Sequence, residues 1–118
     1  MRNYRMGIAS LLAAMCITAS CSAAQQLVGT DHNGYKTYIE DTSVDLLPAD
    51  GYDLAFQVEV IGYRPDGSII MDVHNYFRQK GNKVYVRLQG QSNWRELFAS
   101  AKQVYDAAYP IAREKAGK

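Results

Sequence analysis

The chain has 118 residues, with 13 basic and 12 acidic side chains and a formal net charge of +1 at neutral pH. A balance this close to zero, with no block of basic residues, argues against nucleic acid as a partner. No uninterrupted apolar run reaches the roughly 20 residues that a helix needs to cross a bilayer, so no integral membrane span is predicted.

The first 24 residues have the three parts of an export signal in the expected order. Two arginines come first, an apolar stretch follows, and small residues occupy positions 20–24. The sequence therefore predicts a signal peptide over residues 1–24 and one exported domain over residues 25–118. The mature domain would be periplasmic, on the cell surface or secreted, and would keep 11 basic and 12 acidic residues, a net charge of −1.

Both cysteines, Cys16 and Cys21, lie inside the predicted signal peptide. Two alternative cleavage sites are compatible with the sequence. Signal peptidase would cut after Ala24, where Ser22 and Ala24 supply the small side chains that it accepts. A lipoprotein pathway would instead cut before Cys21, which would then carry the lipid. After the first cleavage the domain has no thiol, so packing and strand pairing alone must hold it together.

The predicted strands begin with a hairpin. Asn33-Gly34 favours a two-residue type I′ turn, because these residues adopt positive φ at little cost. We expect this turn to pair residues 26–32 with residues 35–40 and to set Val28 opposite Ile39.

Two long strands follow, in residues 54–61 and 69–78. Apolar and mostly polar side chains alternate in each, which indicates one buried and one wetter sheet face. Pro65-Asp66-Gly67 between them suits a type I turn closed by a left-handed glycine, with Arg64 opposite Ser68.

An irregularity is expected in this strand pair. Strict continuation of the turn register sets Val60 against Asp72, whereas the burial pattern favours Met71 as the neighbour of Val60. We therefore predict a β-bulge, with Gly62 as its site.

The next turn, at Gly81-Asn82, joins a third strand. A two-residue loop there pairs Arg78 with Tyr85 and Tyr76 with Arg87. The wetter face is thus expected to carry two Arg–Tyr cation–π pairs side by side.

A C-terminal helix is predicted from residue 93 onward. Asn93 can cap it, with Glu96 reaching back to complete a capping box. Apolar residues from Trp94 to Ala108 recur at three- and four-residue spacing and form a stripe that needs a sheet to lie on. Pro110 lacks an amide hydrogen, so the helix is expected to end or kink near Tyr109.

Together these elements predict an α+β fold. An N-terminal hairpin and a three-stranded meander form an antiparallel sheet of about five strands, and the single C-terminal helix packs on one face.

The wetter sheet face holds the candidate binding residues, which are Tyr63, Tyr76, Arg78, Tyr85 and Arg87. Tyrosine and arginine contribute much of the energy at protein interfaces, because each combines a large contact area with a hydrogen-bonding tip. The alternative is that these cross-strand pairs serve only the sheet.

A second constellation, Glu59, Asp72 and His74, is expected on the same face. A histidine beside carboxylates can serve acid–base catalysis or hold a metal. It can equally be part of an ordinary solvated surface. No nucleophile or phosphate-binding loop accompanies it, so no catalytic residue, metal ligand or cofactor is assigned.

The run Leu27-Val28-Gly29-Thr30-Asp31-His32-Asn33-Gly34, followed by Tyr38-Ile39-Glu40-Asp41-Thr42-Ser43-Val44, resembles the opening of the surface-adhesin protein E-like family of small exported bacterial proteins. Members commonly begin with an aromatic or apolar strand and a polar turn, followed by a Tyr-Ile-Asp-like strand, a Thr-Ser or Ser-Ser pair and an apolar residue. The resemblance implies an antiparallel sheet with a helix, a cell-surface or periplasmic location, and binding of host proteins.

The sequence thus favours a noncatalytic, adhesin-like domain that binds a host matrix or envelope protein. The alternative is a small periplasmic hydrolase or metal-binding protein centred on His74. The oligomeric state is left open.

Overall fold

The computed structural model describes residues 24–118, so the predicted signal peptide up to residue 23, with Cys21, lies outside the described residues. Residues 24–118 form seven β-strands, one 3₁₀ turn and one α-helix. In chain order they are β1 (Gln25–Thr30), β2 (Lys36–Glu40), the 3₁₀ turn (Asp41–Ser43), β3 (Asp45–Leu46), β4 (Leu54–Tyr63), β5 (Ile69–Lys80), β6 (Lys83–Leu88), β7 (Arg95–Glu96) and α1 (Ala99–Lys115).

All seven strands belong to one antiparallel sheet. Its strand order is β1-β2-β4-β5-β6-β7, and the short β3 pairs with β4 beyond the end of β2. The helix packs on one face of this sheet, which confirms the predicted α+β fold. The two-residue strands β3 and β7 were not predicted, because two residues give no periodic pattern.

The core lies between the sheet and α1. Phe56 of β4 pairs with Phe77 of β5, and Tyr105 of the helix packs against both rings at centroid distances of 5.9 and 5.5 Å. The buried apolar side chains are Ile39, Val44, Leu54, Ala55, Phe56, Val58, Val60, Ile61, Phe77, Val86, Ala101, Val104, Tyr105, Ala108 and Ala112. All but Ala55 and Ile61 form one cluster, so sheet and helix share a single core.

Two of the predicted turns are confirmed. The Arg64 amide donates to the Ser68 carbonyl at 2.8 Å, and Gly67 has a φ of 92°. At the other turn Lys80 pairs with Lys83, so the loop has two residues, and β5 and β6 have the predicted register.

The first hairpin has a different turn from the one predicted. Asp31 pairs with Tyr35, and its Oδ1 accepts from the amides of Asn33 and Tyr35 at 2.8 and 3.0 Å. This carboxylate favours a three-residue loop in which Gly34, with a φ of 88°, takes the left-handed conformation. The local hydrogen bonds therefore outweigh the Asn-Gly preference for a type I′ turn.

The register of the first hairpin changes as a consequence. Gln26, not Val28, lies opposite Ile39. Val28 sits at an irregularity between Leu27 and Gly29, which turns its side chain onto the core.

The predicted bulge lies at Gly62, but the extra residue is on the other strand. Gly62 pairs with Met71 and Tyr63 with Ile69, so Ile70 of β5 is inserted. Val60 consequently lies beside Val73 instead of the predicted Met71. An insertion in β5 places Val60 and Val73 together on the helix side, which buries both apolar side chains.

The predicted helix start at Asn93 is wrong. The helix begins at Ala99, and its N-cap Phe98 makes no side-chain capping hydrogen bond. Glu96 and its neighbour instead form β7, which pairs with Tyr85 and Val86 of β6. Pairing with an open sheet edge satisfies more backbone groups here than one capping box would.

Of the two outcomes predicted near Tyr109, an end or a kink, the end is wrong, because α1 continues to Lys115. Ala108 and Ala112 are buried on either side of the proline. Beyond it, Lys115 Nζ donates to the Val44 carbonyl, so packing at both ends holds the helix in place. This 17-residue helix does not meet the length and hydropathy of a membrane span, and no such helix occurs in residues 24–118.

Candidate functional site

The sheet face opposite α1, here called the open face, has no helix packed on it within residues 24–118. Side chains alternate along each strand, so β4, β5 and β6 each contribute every second residue to it. The paired positions Ala55–Arg78, Gln57–Tyr76 and Glu59–His74 all lie on this face. Ala55 is only 6% exposed.

Five side chains on this face alternate between aromatic rings and guanidinium groups in an arginine–aromatic stack, in the order Tyr52, Arg78, Trp94, Arg87, Tyr76. Arg78 is sandwiched, with its guanidinium carbon 4.3 Å from the Tyr52 centroid and 4.2 Å from that of Trp94. Arg87 lies 5.5 Å from Trp94 and 4.3 Å from Tyr76. Each arginine therefore contacts two rings within cation–π distance.

No carboxylate in the described part of the chain neutralises the charges in the stack. The ion pairs found in residues 24–118 at N–O distances up to 4.0 Å are Lys83–Glu96 and Lys102–Asp106, and neither includes Arg78 or Arg87. Arg78 Nε is buried without a hydrogen-bond partner, and Arg87 Nη1 donates to the Gln91 carbonyl at 2.9 Å. The stack thus holds two cations in fixed positions through their aromatic neighbours.

Tyr52 comes from the loop before β4. The Tyr52 amide donates to the Ala49 carbonyl at 2.9 Å across a tight turn. Asp53 anchors the end of the loop, since its amide donates to the Gln79 carbonyl and its Oδ2 accepts from the Gly81 amide at 2.7 Å. These bonds tie the loop to β5, so Tyr52 reaches Arg78.

Trp94 is positioned by β7. Arg95 pairs with Val86, which faces the core, so the adjacent Trp94 falls on the open face beside Arg87. The prediction that Trp94 belongs to the buried stripe of the helix is therefore wrong.

Four of the predicted binding residues, Tyr76, Arg78, Tyr85 and Arg87, lie together. The predicted pair of Arg87 with Tyr76 forms. Arg78 instead contacts Tyr52 and Trp94, and Tyr85 meets Tyr52 edge to ring at 6.2 Å.

Tyr63 lies apart from this group. Its ring packs against Tyr38 at 5.4 Å, and its hydroxyl donates to Gln25 Oε1 at 3.0 Å. The sequence reasoning missed Tyr52, which lies in a connection without periodic pattern. Whether any of these side chains binds a partner stays a prediction.

The second predicted constellation is also brought together. Glu59 lies directly opposite His74, and Asp72 lies two residues before His74 on the same face of β5. A hydrogen bond with the Asp72 carboxyl, burial and the charges of Asp72 and Glu40 raise the pKa of Glu59 above its usual 4.5, against a lowering by His74. His74 Nδ1 lies 3.3 Å from Gln57 Oε1.

The structure also bears on the number of possible metal ligands around His74. Within residues 24–118 there is no cluster of three or more histidine, cysteine or acidic side chains with the geometry to hold a metal ion. What the fold adds is the proximity of the two carboxyl groups, which raises the pKa of Glu59.

Comparison with models of known protein families, with characterised proteins and with solved structures finds no match to this chain. The resemblance to the surface-adhesin protein E-like family therefore stays a prediction, and the function has to be argued from the open face itself.

Proposed function

We propose that this chain is a noncatalytic protein-binding domain that recognises its partner through the arginine–aromatic stack on the open face. The observation that carries this proposal is the stack itself, in which Trp94 and two tyrosines hold two arginines that pair with no carboxylate of residues 24–118. Tryptophan, tyrosine and arginine are the residue types that dominate the energetics of protein interfaces.

The arrangement favours binding because its side chains are ordered before a partner arrives. A free arginine loses much rotamer freedom when it is immobilised at an interface, whereas Arg78 is already held between two rings. A carboxylate on the partner would neutralise a guanidinium and form charge-assisted hydrogen bonds with it. The expected partner surface therefore carries acidic and aromatic side chains.

The location is part of the proposal. The signal-like pattern of residues 1–24 supports export, so the domain would act in the envelope or outside the cell, with a host matrix or envelope protein as its partner. The adhesin-like role rests on the resemblance of the first hairpin and on the composition of the open face.

The test is a pull-down from envelope extract and from host matrix proteins. The bait is residues 25–118, which contain the whole described core, and its companion is the variant Arg78→Ala/Arg87→Ala. We expect the unmodified domain to capture a partner. The variant should bind that partner roughly 30-fold or more weakly, because the removed side chains are interface anchors.

A matched control removes two arginines from the other side of the molecule. Arg95 and Arg113 also lie over aromatic rings, at 4.3 Å from Phe98 and 5.7 Å from Tyr109. Arg95→Ala/Arg113→Ala has the same loss of charge and should bind like the original. Equal capture by all three proteins would contradict the proposal. If the double variant loses its circular dichroism spectrum, Arg87→Lys, which keeps the charge but not the planar group, replaces it.

A further inference from the structure

A cleft on the helix side of the sheet, distinct from the open face, lies where α1 begins. Its volume is about 340 Å³, within the range of about 300–1,000 Å³ that is usual for small-ligand sites. Apolar side chains line most of it, among them Val60, Met71 and Val73 from the sheet and Phe98 and Ala101 from the start of the helix. The cleft has room for one large apolar group.

The cleft contains an unsatisfied acceptor. Asn75 is the buried polar residue of the described core, at 6% exposure, and it lines the cleft. Its Oδ1 has no hydrogen-bond partner among residues 24–118. A buried acceptor that has lost its water and gained no donor is destabilising, so a donor supplied by a ligand would be favoured there.

The first turn of α1 forms another wall of the cleft. Ser100 and Ala101 line it, and the amides of a first turn have no acceptor within their own helix. Phe98 supplies no side-chain cap, and no acidic side chain lies in this turn. The positive end of the helix dipole is therefore uncompensated beside the cleft, which favours a carboxylate.

The unpaired edge of β5 runs alongside the cleft. β6 pairs with β5 only from Asn75 onward, and Gln89 closes the ladder by donating its amide to the His74 carbonyl. Asp72 presents its N–H and C=O to the same side as His74, because these groups alternate along a strand. Within residues 24–118 no strand covers β5 there. An extended chain can pair with this edge and place a side chain in the cleft.

We propose that the cleft binds the carboxyl terminus of an extended peptide whose last residue is apolar. The terminal carboxylate meets the first turn of α1, the last side chain fills the cavity, and a peptide N–H donates to Asn75. The preceding residues pair with β5 at Asp72. One ligand would thus provide hydrogen-bond partners for the first-turn amides of α1, for Asn75 Oδ1 and for the unpaired backbone of β5.

The test is an NMR titration of residues 25–118 with three probes. These are a pentapeptide ending in Val-Leu with a free carboxylate, the same peptide with a C-terminal amide, and decanoate. We expect the free acid to bind saturably and to shift the amides of Ser100 and Ala101, and the other two probes to bind more weakly by about tenfold or more. Equal binding of the amide, or of decanoate, would overturn the proposal, as would no saturable binding of the free acid.

Two variants locate the site. Ser100→Trp places an indole in the cleft and should weaken binding by about tenfold or more, whereas Ala99→Trp, at an exposed position outside the lining, should not. Asn75→Leu keeps a similar shape without the acceptor and should also weaken binding of the free-acid peptide. This second variant provides the test if Ser100→Trp does not fold. Unchanged binding in both Ser100→Trp and Asn75→Leu would overturn the assignment.

Arg78→Ala should leave peptide binding intact, because Arg78 lies on the opposite face of the sheet and its neighbours Tyr52 and Trp94 do not line the cleft. Loss of peptide binding in that variant would overturn the assignment of the cleft, independently of whether the open face binds a partner.

Discussion

Glu59 shows at the scale of one residue how the fold changes acid–base behaviour. The hydrogen bond with Asp72 forms only if one of the two carboxyls keeps its proton, and burial and the charge of Glu40 act in the same direction. The pKa of Glu59 is therefore higher in the folded chain than in the unfolded one. Its contribution to stability is greatest below about pH 4.5 and falls as the pH rises through the folded pKa.

We therefore expect Glu59→Gln to increase the free energy of unfolding at neutral pH, because the amide keeps a donor for Asp72 without a charge. The gain should disappear at about pH 4, where the original carboxyl is protonated. Urea unfolding followed by circular dichroism at both pH values measures it. Glu114→Gln, at an exposed helix position, should change stability by less than about 0.5 kcal/mol. A loss of stability in Glu59→Gln at neutral pH would contradict this account.

At the scale of the element, α1 tolerates a proline that local preference would place at its end. Pro110 cannot donate to the Asp106 carbonyl, yet the helix continues for five residues beyond it. Buried alanines on both sides of the proline and the bond from Lys115 to Val44 offset the lost hydrogen bond. Tertiary packing thus decides where this helix ends.

Replacing the proline should make the helix more stable. Pro110 is exposed, so Pro110→Ala restores an amide donor without disturbing the core. We expect the free energy of unfolding to rise by about 1–3 kcal/mol, as measured by chemical denaturation. Glu114→Ala, another exposed site in the same helix, is the comparison and should change it by less than about 0.5 kcal/mol. No gain in Pro110→Ala would mean that the local backbone is adapted to the proline.

At the scale of the whole molecule, one core joins the helix to the sheet. The rings of Phe56, Phe77 and Tyr105 pack against one another within 5.9 Å, and Tyr109 extends the cluster along the helix. Burial in this cluster raises the pKa of Tyr105 to about 12. The open face has no core of its own, so its order depends on the same packing.

Phe56→Ala should therefore weaken both faces together. We expect a loss of about 3–5 kcal/mol in the free energy of unfolding, as for other buried aromatic truncations. Circular dichroism reports the helix and sheet, and fluorescence of Trp94, the single tryptophan, reports the open face. Their transitions should coincide in both proteins. Earlier loss of the Trp94 signal would show that the stack unfolds separately.

Much of the fold could be predicted from local pattern. The alternation in β4 and β5 identified the buried face, because a side chain's side of a strand depends only on its position in the period. The turns at residues 65–67 and 81–82 could be predicted because glycine there meets a local need for positive φ. From these turns the cross-strand neighbours Tyr76 and Arg87 follow directly.

The sequence by itself therefore determined the main sheet, its two faces and three of the five side chains of the arginine–aromatic stack, since each depends on chemistry within a few positions. Only the tertiary structure decided that Tyr52 and Trp94 complete the stack, that Ile70 is the inserted residue, and that the helix begins at Ala99 beside a cleft. These features depend on pairing and packing between segments distant along the chain. Their energies can exceed local preferences such as the capping box at Asn93 and the turn at Asn33-Gly34, and no local pattern records them.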